Sequence, residues 1–273
     1  MTGGRPVVLV TGATGGIGWA TAAELARRGA HVIVHGRTAA KAEAAAEDLR
    51  RQTHGELESI GADLNTVAAV EGLARAVVER WDRLDVLINN AGVFKQQREL
   101  TPDGLEMTWA VNHLAYFGLT NDLVELLRAS APSRIVCVSS NTHRSAQLDF
   151  DNLQGERHYD GYEAYSRSKL CNVLHAYALA RRLAGSGVTV NALHPGVIRT
   201  NLMRAGWGGG GGDLAQGAET PVYLALDAAV AGVTGRYFVD RREAPSAKLT
   251  YDEALQERLW AVSEAAGQRA VQQ

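Results

Sequence analysis

A single α/β domain, built as a doubly wound parallel sheet with helices on both faces, is the fold class that three features of the sequence predict. Short runs rich in Val and Ile recur along the chain, amphipathic stretches of helical period separate them, and a glycine-rich turn joins the first run to the first helix. At 273 residues and 46% hydrophobic content the chain can bury a substantial core, and α/β domains of this length commonly form one unit.

The elements follow in order. Val7–Val10, His31–Val34, Leu84–Ile88, Ile135–Val138, Val188–Leu193 and Tyr237–Val239 read as strands, apolar throughout rather than alternating, as strands covered on both faces are. Trp19–Arg28, Ala39–Arg51, Val67–Trp81, Pro102–Leu127 and Tyr162–Leu183 read as the helical crossovers, rich in Ala, Leu, Glu and Arg. No internal repeat is visible, and the one low-complexity stretch, Gly208–Gly212, reads as part of a mobile loop spanning about 200–220. The chain from Tyr251 onward reads as a helix and a frayed tail.

Composition excludes several function classes. A formal charge of −2 and the lack of any Lys/Arg run give no field for nucleic acid. Cys137 and Cys171 fall in a strand and a helix without CxxC spacing, which fits a reducing cytoplasm. The N-terminus moves directly into a short apolar run, and no stretch approaches the roughly 18 apolar residues of a membrane span, so a protein without a transmembrane anchor is expected. Eight histidines carry no H-E-x-x-H or paired ligand spacing, so no catalytic metal is expected. Ser139 and Ser140 lie outside any G-x-S-x-G, against an acyl-enzyme hydrolase.

Strand Val7–Val10 runs into Thr11-Gly12-Ala13-Thr14-Gly15-Gly16-Ile17-Gly18 and then a helix. Glycines there let the backbone approach a pyrophosphate, which amide groups and the positive end of the helix stabilise. Alone such a turn is an ordinary tight connection; after the first strand of an alternating pattern it marks a dinucleotide site. Tyr165 and Lys169, four apart in a helical segment, share one face. At about 4 Å and an effective dielectric near 20, a lysine ammonium favours the phenolate by roughly 4 kcal/mol, enough to bring a tyrosine toward neutrality before desolvation opposes it. A lone Y-x-x-x-K is as readily a surface pair; its company gives it weight.

That company, Thr11-Gly12-x-x-x-Gly16-Ile17-Gly18, Asn89-Asn90-Ala91-Gly92, Asn112, Ser140, Tyr165-x-x-x-Lys169 and Pro195-Gly196 in this order, resembles the short-chain dehydrogenase/reductase family over residues 5 to 240. The resemblance implies a Rossmann-type fold and an oxidoreductase acting on a carbonyl or alcohol. It also implies roles. Gly12, Thr14, Gly16, Ile17 and Gly18 would cradle the cofactor, Asp63 would contact the adenine with Leu64 beside it, and Asn90, Ala91 and Gly92 would line the adenosine pocket. Pro195, Gly196 and Thr200 would meet the nicotinamide end. Ser140 would hold the substrate oxygen, Tyr165 exchange its proton, Lys169 bind the nicotinamide ribose, and Asn112 hold a proton-relaying water. Ser139 is also available for the serine role; Ser140 is chosen because the second of the pair aligns with the family's serine.

At the end of the second strand Gly36 stands where an NAD site usually carries a carboxylate, and Arg37 follows, offering a permanently charged fork to a 2′-phosphate. NADP(H) is therefore expected over NAD(H), the lesser alternative being a solvated Arg37 that opens the next helix. The 25 residues from Ser140 to Tyr165 exceed the usual family spacing by about twofold. That insertion, Leu148 to Glu156, with Ser168-Lys169-Leu170 and His194-Pro195-Gly196, resembles the retinol dehydrogenase and WW-domain oxidoreductase branch, without the membrane-anchoring N-terminus of its animal members. Leu202, Met203, Trp207 and Leu214 lie in the loop after Thr200, as an apolar lid or as packing for a loose connection. The expectation is an NADP(H)-dependent oxidoreductase (EC 1.1.1.-) for a small, apolar carbonyl or alcohol with Tyr165 as acid/base, against the alternatives of a redox-neutral epimerase or dehydratase and a non-catalytic NADP(H)-binding regulator. A homo-oligomer is compatible with all three.

Overall fold

The computed structural model describes residues 4–271. Eight strands form one sheet in the order β3-β2-β1-β4-β5-β6-β7-β8. These are β1 (Val7–Val10), β2 (His31–Gly36), β3 (Glu56–Gly61), β4 (Val86–Asn89), β5 (Ser133–Val138), β6 (Val188–His194), β7 (Arg236–Val239) and β8 (Arg242–Glu243). The first seven pair in parallel and only β8 is antiparallel. Helices α1 (Gly16–Arg27), α2 (Ala39–Thr53), α3 (Val67–Arg80), α4 (Met107–Trp109), α5 (Ala115–Ala129), α6 (Gly161–Arg182), α7 (Asn201–Trp207), α8 (Leu214–Leu226) and α9 (Glu253–Val271) complete the chain. Strand order reverses between β1 and β4, which opens a crevice at the carboxyl ends of those strands.

The alternation read from the sequence places most elements, because each central strand is sealed by helices on both sides. Leu9, Ile33, Leu87 and Ile135 face α3, α5 and α6, while Val8, Val32, Val86 and Val136 face α1, α2 and α8. Three departures have physical causes. β3 is missed by an apolar count because Glu56 and Glu58 interrupt it; at the sheet's edge it needs only part of its surface covered. β8 is two residues long, too short for any period. The expected helix Pro102–Leu127 begins instead at Met107, where the Glu106 carboxylate accepts from the Thr108 and Trp109 amides at 2.7 Å each. It then widens into a π-helical turn, Ala110–Leu114, before α5.

The expected C-terminal tail is helix to Val271, with residues 272–273 outside the described residues. Leu259 and Ala266 of α9 are buried in satellite clusters on the outer side of α6 and the π-turn. Among the described residues, no helix is long and apolar enough to cross a membrane, and no three His, Cys, Asp or Glu side chains group to hold a metal ion.

Candidate active site

The glycine turn is held open by its neighbours. Gly12 and Gly16 adopt φ of +65° and +59°, the left-handed region that glycine enters without strain. Gly18 is required by space rather than dihedral: a Cβ there would lie 2.4 Å from both Asn90 Nδ2 and the Gly12 carbonyl. The Thr11 hydroxyl donates to the Ile88 carbonyl (3.3 Å) and accepts from the Asn90 and Ala91 amides at 2.8 and 3.0 Å, tying the turn to the end of β4. Asn90 Nδ2 returns a bond to the Thr11 carbonyl at 2.8 Å.

α1 starts without a capping side chain or an acidic residue in its first turn, whereas Thr38, Thr66, Asp160, Thr200 and Asp213 cap α2, α3, α6, α7 and α8. Its free amides and positive end, facing glycines pressed close to Asn90 and Ala91, fit a dinucleotide pyrophosphate.

His35, on β2, supports this turn and was not singled out from the sequence. Its Nδ1 accepts from the Gly12 amide at 3.1 Å and its Nε2 lies 3.0 Å from the Ala62 carbonyl, which fixes the neutral tautomer protonated on Nε2. Burial pulls its pKa down to about 4, so the ring stays neutral and this bridge persists across the physiological range. Nothing in HVIVHG separates this histidine from an ordinary buried strand residue; only the neighbouring strand's turn gives it a partner.

At the end of β2, Gly36 packs against Thr14: a Cβ would meet Thr14 Cγ2 at 2.5 Å and the Ala42 amide nitrogen at 3.0 Å. A carboxylate at this position is therefore sterically refused. Arg37, immediately outside the strand, is exposed and makes no ion pair among the described residues. Asp63 is exposed just beyond β3, close enough to His35 to act on it electrostatically. Leu64 is buried in the core cluster.

The catalytic candidates converge at the ends of β4 and β5. α6 carries Tyr165 and Lys169 on its buried side, 7% and 3% exposed. Lys169 Nζ donates to the Val138 carbonyl at 3.2 Å and lies 5.5 Å from the Tyr165 ring centroid. Gly92 borders this group: a Cβ on it would stand in ordinary contact, 3.5 Å from Asn112 Oδ1 and 3.6 Å from Lys169 Nζ. The structure separates the two serines. Ser139, 2% exposed, donates to the Lys169 carbonyl at 2.7 Å and pins α6 to β5. Ser140 is half-buried and faces the phenol; its oxygen also accepts from the Thr142 amide at 3.3 Å, leaving its proton free for another acceptor.

Burial raises the Tyr165 pKa above its ordinary value, with the Ser140 hydroxyl opposing. Desolvation penalises both charged forms, and it also pulls Lys169 down to about 8. The phenol is thus held protonated, as a donor. Asn112 sits fully buried in the π-turn, with Oδ1 accepting from the Val93 amide (2.7 Å) and Nδ2 donating to the Val93 carbonyl and Ser168 Oγ (both 3.0 Å). Its side chain braces the loop after Gly92 against α6.

Pro195 and Gly196 leave β6, Gly196 at φ +95°. Thr200 caps α7 by accepting from the Met203 amide at 3.0 Å, and its methyl stands 3.5 Å from where a Gly16 Cβ would be, so this end of the chain closes on the glycine turn. His194 Nδ1 accepts from the Asn141 amide at 3.3 Å, a structural bond. In the run expected as a mobile loop, Gly208–Gly211 all take positive φ, and Gly212 is bridged to Ile198.

Comparisons with known proteins agree with this arrangement. The family model for short chain dehydrogenase matches residues 6–207. Retinol dehydrogenase 14 of Mus musculus is 44% identical, over 94% of this chain and 84% of that protein. Human retinol dehydrogenase 13 is 43% identical, over 94% and 82%. Among solved structures, an uncharacterized protein of Mycobacterium Paratuberculosis superposes with TM-score 0.80 at 34% identity, covering 97% of this chain and 93% of that one. The NADP active-site complex of Pseudomonas aeruginosa RhlG superposes with TM-score 0.72 at 28% identity, covering 87% and 94%. The crevice at the β1/β4 switch, the serine, tyrosine and lysine gathered beside it, and these likenesses place the chain in the short-chain dehydrogenase/reductase family of oxidoreductases, nearest its retinol dehydrogenase branch.

Proposed function

We propose that this protein is an NADP(H)-dependent carbonyl reductase or alcohol dehydrogenase for an apolar substrate, with Tyr165 as the acid/base. The observation that carries the reading is the Tyr165 phenol set beside Ser140 and Lys169, in a crevice whose glycine turn leaves the first amides of α1 uncapped. The nicotinamide, when bound, supplies or accepts the hydride. The chain's own residues do the rest.

In the reducing direction, Ser140 and Tyr165 donate hydrogen bonds to the carbonyl oxygen, where negative charge develops, and Tyr165 gives up its proton. The Lys169 ammonium holds the ribose and stabilises the phenolate left behind, in a site where low polarity strengthens its field. Asn112 keeps the segment after Gly92 in register with α6. Arg37 reads the 2′-phosphate, and Gly36 has no room for the carboxylate that would repel it. A cytoplasmic location belongs to the same reading, on Cys137 and Cys171, both buried and free.

Two predictions test it. NADPH oxidation across aldehydes and ketones of rising lipophilicity, with NADH in parallel, is expected to show turnover that favours NADPH. Arg37→Asp then shifts the ratio of kcat/KM values toward NADH by roughly 10- to 100-fold, the worth of one charge-assisted bidentate contact replaced by repulsion. An unchanged ratio would remove Arg37 from cofactor choice. Tight NADPH binding without oxidation of any carbonyl favours redox-neutral chemistry or a regulator instead.

The second concerns pH. Lys169 titrates near 8, below the ordinary lysine value because it is buried. Below that pH the ammonium is present; above it the free enzyme loses the charge this mechanism needs. The kcat/KM for NADPH is therefore expected to fall as pH rises through about 8. The limb should vanish in Lys169→Met, which keeps only low, pH-flat activity.

A further inference from the structure

We propose that His143 is a positioning residue for the reaction, tying the Ser140 backbone to the segment after β8 so that the Ser140 hydroxyl keeps its proton aimed at the substrate oxygen. The inference rests on the reading of Ser140 as a donor to that oxygen.

His143 lies three residues after Ser140 and is fully buried. Its Nδ1 stands 2.6 Å from the Ser140 carbonyl, and its Nε2 accepts from the Ala247 amide at 3.0 Å. A backbone amide only donates, so Nε2 is bare and Nδ1 carries the proton that goes to the Ser140 carbonyl. Burial pulls the ring's pKa down to about 4, which keeps this neutral tautomer in place near neutral pH. The ring also packs on Tyr237 of β7, 4.8 Å between centroids. One imidazole thus spans from the end of β5 to a residue 104 positions further along the chain.

What it holds is a short turn. Ser140 is extended, at φ −156° and ψ 155°, and caps the 3-10 helix Asn141–Arg144. Its carbonyl accepts from the His143 amide at 3.2 Å as well as from the ring, and its Oγ accepts from the Thr142 amide at 3.3 Å. Both amide bonds lie at the long end of the hydrogen-bond range, whereas the ring bond is short, so the turn closes chiefly on the imidazole. While it is closed, the Thr142 amide occupies a lone pair of Ser140 Oγ and the hydroxyl proton is left for an acceptor in the crevice. Once it opens, Oγ rotates and its proton is shared with water. The next residue is fixed from the same side: the Asn141 amide donates to His194 Nδ1 of β6, and its Oδ1 accepts from the Tyr237 hydroxyl, both at 3.3 Å.

Two amide side chains separate the ring's two bonds. His143→Asn keeps a donor near the Nδ1 position and loses the reach to Ala247, whereas His143→Gln keeps an acceptor near Nε2 and loses the donor to Ser140. With NADPH and nonanal, or whichever carbonyl of the panel above the wild type reduces fastest, His143→Gln is expected to lower kcat by about 30-fold with KM within about twofold, while His143→Asn stays within about threefold. In a Ser140→Ala background the Gln substitution should cost less than about twofold, since no hydroxyl is left to aim. Ala247→Pro, at a residue whose φ of −62° already suits proline, removes the outer bond alone. Read against the same background, it should lower kcat by about fivefold only where the hydroxyl is present, and it serves if His143→Gln does not fold. Equal losses in His143→Asn and His143→Gln, or the same loss with and without the Ser140 hydroxyl, overturn the proposal. If the wild type reduces no carbonyl of the panel, amide hydrogen exchange over residues 140–144 decides. Faster exchange in His143→Gln with wild-type exchange in His143→Asn keeps the tie while the oxidoreductase reading falls, and equal exchange overturns both.

Discussion

Tyr165→Phe is expected to reduce kcat by about 10³-fold or more while leaving NADPH affinity within a few-fold, because it removes only the proton that a general acid supplies. The substitution is unusually clean here. The ring contacts with Phe94 and Trp207, 6.1 and 5.3 Å between centroids, are kept, and so is the helical seat on α6. What disappears is a buried hydroxyl that the surroundings hold protonated. Thermal stability should be unchanged or slightly raised, since a desolvated polar group is removed. Ser140→Ala is expected to fall less far, by about 10²-fold, because it deletes one of two donors to the developing charge. Residual Tyr165→Phe activity above about a tenth of wild type would assign the proton to another group and leave Tyr165 as packing.

Gly18→Val is expected to damage fold and cofactor binding together. A Cβ at this position falls 2.4 Å from the Gly12 carbonyl and 2.4 Å from the Asn90 amide, which itself donates to the Thr11 carbonyl. Backbone cannot step aside cheaply, so overpacking of about 3 kcal/mol is expected, lowering Tm by roughly 6–12 °C at this chain size. NADPH affinity should fall by about 100-fold, as the turn that presents amides to the pyrophosphate is displaced. Gly15→Ala is the matched control. It sits in extended backbone at φ 179°, a Cβ there meets nothing within 4 Å, and its Tm should match the wild type. Equal Tm for both variants would mean that the close approach at Gly18 relaxes at no cost.

The contrast between these two glycines illustrates how the site was and was not legible. Both stand in one motif and read alike. Their difference arises because Asn90 arrives from β4, 72 residues away in sequence, on the far side of the switch point. Tyr165 and Lys169 were readable because both lie on one helix, where spacing alone sets their common face. Their electrostatics were not. The sealed β5–α6 packing adds a desolvation that favours the neutral form of both groups, and its size is set by the tertiary contacts. Asn112 shows the same limit: its place in the motif order is visible, but the π-turn that swings its amide onto Val93 is not.

Periodicity and local chemistry by themselves determined the α/β class, most strands and helices, the phosphate-binding turn and the Tyr165–Lys169 pair, because these depend on residues a few positions apart. Tertiary structure decided which serine is free to donate, with Ser139 bound to the Lys169 carbonyl and Ser140 left facing the phenol. It also decided that His35 braces the glycine turn, that Gly36 has no space for an acid, and that Trp207 packs on Tyr165. Each of these is a contact between segments distant in sequence, brought together only when the parallel strands align their carboxyl ends along one edge of the sheet.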